Sequence, residues 1–339
     1  MSTPSEPIHV VVAMDFSDAI LERIRAVSPR LRVERHYPDV PERVWENAEV
    51  LYTLRHFPDP VQASHLRWIQ MHTAGIDHAI DQPIMKAQDV EITNASGVHA
   101  VHMSEFCLMM MMAFAYKLPQ VLEFQAKSEW PRRPHELFAP VPLRGQTLGI
   151  VGYGAIGREL ARMADALGMR VLAIKRNVMH PADYGTYRIP GTGDPEGEIP
   201  LRIYPPEALV SVAREADFLV LIAPLTQSSR ALVNAEVLAA MKKTAVLINV
   251  ARGAVVDEAA LISALASKQI AGAALDVFET EPLPTASTLW NLDNVILSPH
   301  IAGNSAGYHD KCADVFIENL TRYLENRPLL NRVQRELGY

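Results

Sequence analysis

Thr147-Leu148-Gly149-Ile150-Val151-Gly152-Tyr153-Gly154-Ala155-Ile156-Gly157 decides how the rest of the chain is read. A short apolar run breaks into Gly-x-Gly-x-x-Gly and continues as Arg158-Glu159-Leu160-Ala161-Arg162-Met163-Ala164-Asp165-Ala166-Leu167, with apolar residues at helical spacing. The pattern predicts a strand, a phosphate turn and a helix. In such a unit Gly152 permits the tight turn, Gly154 lets the backbone approach a pyrophosphate, and Gly157 lets the helix pack on the strand. The helix N-terminus offers N–H groups and partial positive charge to phosphates, and Tyr153, Ala155 and Ile156 complete the candidate dinucleotide contacts. A glycine-rich turn on its own is often only a turn. Here Gly168 closes the predicted helix and Arg170–Ile174 supplies a second strand, which is the context a nucleotide site requires.

Downstream the alternation continues. Helices are predicted at 207–215, 235–241 and 257–267, and strands at 217–222, 245–250, 270–276 and 294–298. Near-continuous apolar strands alternating with helices imply a parallel sheet covered on both faces. Upstream, strand-like runs at 8–13, 31–34, 50–53, 68–72 and 90–94 form a second β/α series with no phosphate loop, hence a separate domain with another task. Long helices begin near Gly97, first 101–118 and then a less regular one to about residue 129, and a final amphipathic helix spans 305–326. Between Ile174 and Glu207 lies an irregular stretch, 177–206, with six prolines and four glycines. Loops of that length are uncommon in compact domains and are usually functional or mobile.

A chain of 339 residues accommodates two domains, and 49% hydrophobic with 21% charged residues describes a globular protein with a sizeable core. The net charge of −7 argues against nucleic acid or an anionic membrane as partner. Cys107 and Cys312 fall in predicted helix interiors, so they read as buried small hydrophobes of a reducing cytosol rather than a disulfide or metal pair. The opening Met1-Ser2-Thr3-Pro4-Ser5-Glu6-Pro7 has no basic start and no long apolar core, so no secretory signal is expected. The strongest apolar run, 106–116, is too short to span a bilayer, and a cytoplasmic location is expected.

In an open parallel sheet the ligand sits beyond the carboxyl ends of the strands. Three successive predicted strands deliver polar residues there: Arg252-Gly253 after the first, Asp276 and then Glu281 after the second, Pro299-His300 after the third. Arg252 can clamp a carboxylate through two charge-assisted contacts. His300 can exchange a proton with a carbonyl or hydroxyl oxygen near neutral pH, and Glu281 can fix the imidazole and favour its protonated form. Each taken alone is more often a surface charge or a turn residue. Together on one rim behind a nucleotide turn they suit hydride exchange between a nicotinamide and a 2-oxo or 2-hydroxy acid, with no metal required.

At this point the chain resembles the D-isomer-specific 2-hydroxyacid dehydrogenase family over nearly its full length. The matching runs are 148–157, Asn249-Val250-Ala251-Arg252-Gly253, Leu275-Asp276-Val277-Phe278-Glu279-Thr280-Glu281-Pro282-Leu283-Pro284 and Ser298-Pro299-His300-Ile301-Ala302-Gly303. The resemblance implies that Arg252, Glu281 and His300 are the catalytic trio and that Asp276 holds the nicotinamide carboxamide. It also implies that Ala74-Gly75 offers backbone N–H groups to the substrate carboxylate, and that the dinucleotide contacts extend to Val250, His300 and Gly303. The implied fold is α/β with two Rossmann-like or flavodoxin-like parallel-sheet domains. A dinucleotide domain, 99–304, is inserted into a discontinuous substrate domain, 1–98 with 305–339, and the implied assembly is a homodimer formed mainly by the nucleotide domains.

Two features depart from the family pattern. NAD-using members end the second nucleotide strand with an Asp for the ribose hydroxyls, whereas this chain has Lys175-Arg176 and no Asp or Glu between Ala166 and Ala182. Lys and Arg attract a 2′-phosphate, so NADP(H) is expected over NAD(H). The stretch 177–206 is longer than the family leads one to expect. It reads either as a cover for the adenosine end, with His180 or Arg188 reaching the phosphate, or as an idle surface excursion, the latter preferred. Glyoxylate, hydroxypyruvate or a related small 2-oxo acid is the expected substrate, with the 52–57 loop in the pocket wall; an arginine such as Arg55 is more often simply exposed than a selector of a second anionic group. The alternative is a nucleotide-sensing corepressor-like binding protein on the same fold.

Overall fold

The computed structural model describes residues 6–337, so the opening residues 1–5 that enter the secretory-signal expectation lie outside the described part. The chain divides into two compact units. One comprises residues 6–98, Tyr184–Ile189 and 305–337, the other His99–Asp183 and Pro190–Asn304.

In the first unit β1 (Ile8–Ala13), β2 (Leu31–Arg35), β3 (Val50–Thr53), β4 (Trp68–Met71) and β5 (Glu91–Thr93) form a parallel sheet in the order β2-β1-β3-β4-β5. This is the flavodoxin-like order. Every residue of β3 and β4 is buried, as near-continuous apolar runs demand of central parallel strands. The helices Asp18–Arg25 and Tyr308–Leu324 cover one face, with Ile20, Ile24, Phe316 and Leu320 packed on Val10, Val12, Tyr52 and Trp68. Ser17 caps the first of these helices, its hydroxyl accepting from the Ile20 N–H at 3.3 Å.

The hexapeptide Tyr184–Ile189 also belongs here, whereas the sequence reading carried all of 177–206 with the nucleotide domain. Asn331 explains the difference. Its N–H donates to Gly185 O at 2.8 Å, and its Oδ1 accepts from the Tyr187 N–H at 2.7 Å. Gly97, at φ +95°, makes room for the segment: a Cβ there would lie 2.1 Å from Tyr187 O.

The second unit contains β6 (Thr147–Val151), β7 (Arg170–Ile174), β8 (Arg202–Tyr204), β9 (Phe218–Leu221), β10 (Val246–Asn249), β11 (Gly272–Leu275) and β12 (Val295–Leu297). All pair in parallel, in the order β12-β11-β10-β9-β6-β7-β8. β8 escaped the sequence reading because it is three residues of a part-exposed edge strand after a proline-rich stretch. Helices Ala100–Ala115 and Ala155–Ala166 cover one face, while Leu209–Glu215, Ala235–Ala240 and Glu258–Ala266 cover the other. The chain order reverses at β6, which pairs with β9 on one side and β7 on the other. In open α/β sheets ligands bind beyond the carboxyl ends of the strands at such a reversal.

Both cysteines are free and buried, as expected of small core residues. Burial, and then the Asp276 carboxylate, pushes the Cys107 thiol up to about 12. Among the described residues no helix is long and apolar enough to cross a membrane.

Candidate active site

The strand–turn–helix of the opening stretch forms as read. Gly152 adopts φ +108°, and a Cβ on it would sit 2.7 Å from the Ala223 N–H, so only glycine lets the turn pass the end of β9. A Cβ on Gly157 would lie 2.3 Å from Gly152 O, which fixes how closely the helix packs on the turn. Gly154 differs: a Cβ there would meet nothing within 4 Å. The residue therefore opens onto free space at the N-terminus of Ala155–Ala166, a helix with no side-chain cap on its first N–H groups. Uncapped N–H groups beside an open glycine fit a pyrophosphate.

The rim beyond β10, β11 and β12 carries Arg252, Glu281 and His300, all within the second unit. Asn249 ends β10 and shapes the turn that presents Arg252. Its Oδ1 accepts from the Ala251 N–H and its Nδ2 donates to Arg252 O, both at 3.1 Å. Gly253 packs so tightly on the next loop that a Cβ would lie 1.9 Å from the Phe278 carbonyl carbon. The Phe278 N–H in turn donates to Glu281 Oε1 at 3.0 Å, and Glu281 Oε2 stands 2.7 Å from His300 Nδ1. Backbone packing and two hydrogen bonds thus link the three sequence-predicted residues from loop to loop. With Nδ1 engaged by a carboxylate, Nε2 is the nitrogen left for proton exchange.

Asp276, buried at the end of β11, holds the His300 loop in shape. Its Oδ1 accepts from Ser298 Oγ at 2.6 Å and the Ile301 N–H at 2.9 Å, its Oδ2 from the Ala302 N–H at 2.8 Å, and its carbonyl from the His300 N–H at 2.9 Å. Inside this clamp His300 takes φ +54°, a left-handed conformation that disfavours a side chain. Strain of about 1–3 kcal/mol of this kind persists where surrounding contacts over-determine it, and such residues cluster at active sites.

Other predicted residues are placed as follows. Val250 is buried, its side chain in the core beside Ile248 and its N–H on Leu221 O at 3.2 Å. Gly303 O lies 3.0 Å from His102 Nε2. In the first unit Ala74 and Gly75 follow β4, and Thr73 Oγ1 donates to Gly75 O at 2.7 Å. Among the described residues neither the Ala74 nor the Gly75 N–H has a protein acceptor, so both are available to an anion.

Lys175 is not directed to solvent. Its ammonium donates to the carbonyls of His180, Pro181 (3.2 Å) and Ala182 (3.4 Å), drawing the start of the long loop around itself. Burial, with the nearby Arg158 charge, holds its pKa below the ordinary lysine value. Arg176 is exposed. Sequence reasoning assigned nothing to Asn249, Ser298 and His102. The first two lie inside the quoted family runs, where an Asn ending a strand and a Ser before Pro-His were available signals, and His102 carried none.

Comparison with known proteins shows the family. Residues 108–302 match the model of the D-isomer specific 2-hydroxyacid dehydrogenase NAD-binding domain. The chain is 36% identical over 281 residues to a glyoxylate reductase of Thermococcus onnurineus, covering 79% of each. Among solved structures it resembles a D-isomer specific 2-hydroxyacid dehydrogenase from Xanthobacter autotrophicus Py2, in complex with NADPH and MES, at TM-score 0.75 and 28% identity, over 99% of this chain and 100% of that one. It also resembles an NADPH-dependent glyoxylate/hydroxypyruvate reductase from Sinorhizobium meliloti, at TM-score 0.70 and 26% identity, over 97% and 98%. With two parallel-sheet units, an open phosphate turn and an Arg–Glu–His rim, the chain belongs to the D-isomer specific 2-hydroxyacid dehydrogenase family and is an NAD(P)-dependent oxidoreductase that reduces 2-oxo acids.

Proposed function

We propose that the protein reduces glyoxylate, hydroxypyruvate or a similar small 2-oxo acid to the D-2-hydroxy acid, with NADPH preferred over NADH. The observation that carries the reaction is the 2.7 Å contact between His300 Nδ1 and Glu281 Oε2. When bound, the nicotinamide supplies the hydride. Glu281 takes the Nδ1 hydrogen bond, orients the ring and stabilises its charged form, so that Nε2 gives a proton to the carbonyl oxygen in reduction and takes one in oxidation. Arg252 grips the carboxylate with its planar fork. In the first unit the Ala74 and Gly75 amides serve as carboxylate donors. Asp276 has three of about four acceptor positions filled, which leaves one for a carboxamide N–H. Gly152 to Gly157 hold the pyrophosphate, and Val250 and Gly303 contribute through backbone. Residues 1–98 and 305–339 are the substrate-binding part and 99–304 the dinucleotide-binding part.

At the end of β7 the 2′-phosphate is assigned to the exposed Arg176, next to Lys175, whose ammonium gathers the loop carbonyls. The NADPH bound to the Xanthobacter relative and the NADPH dependence named for the Sinorhizobium relative support this reading. Relatives named as reductases favour turnover over a corepressor-like role. A deciding experiment compares kcat/KM for NADPH and NADH with glyoxylate, hydroxypyruvate, phenylpyruvate and 2-oxoisocaproate. Equal constants for the two dinucleotides remove the preference, and no turnover of any of the four acids removes the substrate class.

The same reading includes a homodimer in the cytoplasm. Met109, Met112, Tyr116, Leu122 and Trp130, the last 88% exposed, leave apolar surface on the Ala100–Ala115 and Leu118–Ala126 helices and the turn after them. Several large apolar side chains exposed on neighbouring segments suit an association surface. Sedimentation should give twice the 37.6 kDa chain mass, and Leu122→Glu should shift it to one.

A further inference from the structure

The part of the long loop that stays with the second unit is bolted to the phosphate turn, which an idle surface excursion would not be. Tyr153, between Gly152 and Gly154, is buried, and its hydroxyl donates to Asp194 Oδ2 at 2.6 Å. Asp194, 6% exposed, also accepts from the N–H groups of Gly197 and Glu198 on Oδ1 and of Ile199 on Oδ2, each at 3.1 Å. Four donors saturate the carboxylate. Arg158, directly after Gly157 and 2% exposed, lays its guanidinium over the Tyr153 ring at 4.7 Å and donates to the carbonyls of Asp194 and Pro181. Glu159, the next residue, accepts from the Gly193 N–H at 2.6 Å. The loop therefore closes on three residues of the turn and first helical turn, pinning the Tyr153 ring on its face and at its hydroxyl.

We propose that Asp194 and Arg158 are positioning residues for dinucleotide binding, acting through Tyr153. Two flanking glycines give this turn more backbone freedom than any other residues would, and ordering it on binding would weaken binding. Holding the Tyr153 side chain from outside the turn fixes the peptide between those glycines before the cofactor arrives. Preorganisation of this kind raises affinity by removing an ordering cost, without adding a contact to the ligand. The inference rests on the dinucleotide reading of the turn but not on the NADPH preference, because it applies alike to both dinucleotides.

Two variants of the full chain test it. Tyr153→Phe keeps the ring over Arg158 and the three amide donors on Asp194, and removes one O–H. Dissociation constants for NADPH and NADH are read from quenching of protein fluorescence, alongside kcat, both KM values and the melting temperature. Tyr153→Phe should weaken both dinucleotides by about three- to tenfold and by the same factor, the loss appearing in the dissociation constants and the dinucleotide KM. Asp194→Asn separates positioning from charge. If the carboxylate acted only through its field, removing it beside Arg158 would tighten binding of an anionic ligand, whereas a positioning role weakens it. Unchanged or tighter dinucleotide binding in Tyr153→Phe overturns the proposal, as does a parallel fall of kcat and rise of both KM values. If Asp194→Asn does not fold, Tyr153→Phe decides alone. A changed NADPH/NADH ratio with no common loss would bear on cofactor preference and count against the positioning role.

Discussion

Asp276 and Asp194 are both buried in the second unit, and each gathers main-chain N–H groups from a stretch that no sheet supplies with partners. Asp276 holds the loop that carries His300, while Asp194 holds the loop that braces Tyr153. An irregular segment must satisfy its backbone somehow, and one ionised carboxylate can absorb several donors at a buried site. The difference between the two lies in what the held loop touches. On the roles proposed for them, the loop bearing His300 governs turnover and the loop braced on the phosphate turn governs binding.

The severest test of that division removes the ring that Asp276 presents. His300→Ala should lower kcat for NADPH-dependent glyoxylate reduction by about a hundred- to ten-thousandfold, the usual contribution of a positioned acid–base group. A near-native rate would end the role given to His300. Asp276→Asn comes next. The amide presents N–H where the Ser298 hydroxyl and two backbone N–H groups already point, so at least one donor is left unsatisfied in a buried place. With the ring displaced, kcat should fall by about ten- to a hundredfold and the melting temperature should drop. Steady-state rates and a thermal melt read both, and a native kcat would show that the His300 loop keeps its shape without the carboxylate.

Cofactor choice gives an effect of similar or smaller size on a ratio. Loss of a charge-assisted contact worth about 1.5–3 kcal/mol predicts that Arg176→Ala lowers kcat/KM for NADPH by roughly ten- to a hundredfold while NADH stays within a factor of about two. Lys175→Ala should act differently, harming both dinucleotides alike, because its ammonium gathers the carbonyls of His180 to Ala182. If Lys175→Ala alone abolished the preference, the assignment of the 2′-phosphate to Arg176 would be wrong.

The two aspartates also show how far the amino-acid pattern could be read. β6, the three glycines and the Ala155–Ala166 helix follow from spacing, because a turn that allows no Cβ at Gly152 and Gly157 leaves its constraint in residue type. The placing of Arg252, Glu281 and His300 at strand ends follows from where the apolar runs of β10, β11 and β12 stop. Asp276 is in a recognisable run, although its clamp on residues 298–302 depends on contacts no periodicity encodes. Asp194 left no trace, since Tyr153 lies 41 positions away and an aspartate among prolines and glycines reads as a solvated turn. For the same reason Lys175 read as a phosphate ligand when its partners are carbonyls five to seven residues on. Tyr184–Ile189 read as part of the nucleotide domain because its partner, Asn331, lies far down the chain.

The smallest expected effect concerns pH, and it asks whether Asp194 is as firmly committed as its partners indicate. Burial pushes its carboxyl up. The Tyr153 hydroxyl, the Ile199 and Glu198 N–H groups and the Arg158 charge more than reverse this, leaving it below the ordinary 3.8. A carboxyl depressed on folding contributes stability that is fully present above its unfolded value and is lost only as pH falls through the lower folded value. The brace should therefore be intact throughout pH 5 to 8. NADH is the suitable probe, because the 2′-phosphate of NADPH itself loses a proton near pH 6, as phosphate monoesters do. The NADH dissociation constant of the wild-type chain should change by less than about twofold from pH 8 to pH 5, and that of Tyr153→Phe should run parallel to it, offset by a constant factor. Weakening of the wild type alone between pH 6 and pH 5, converging on the variant, would mean that Asp194 takes up a proton well above its assigned range. Its hydrogen bond from Tyr153 would then be too loose to position the phosphate turn.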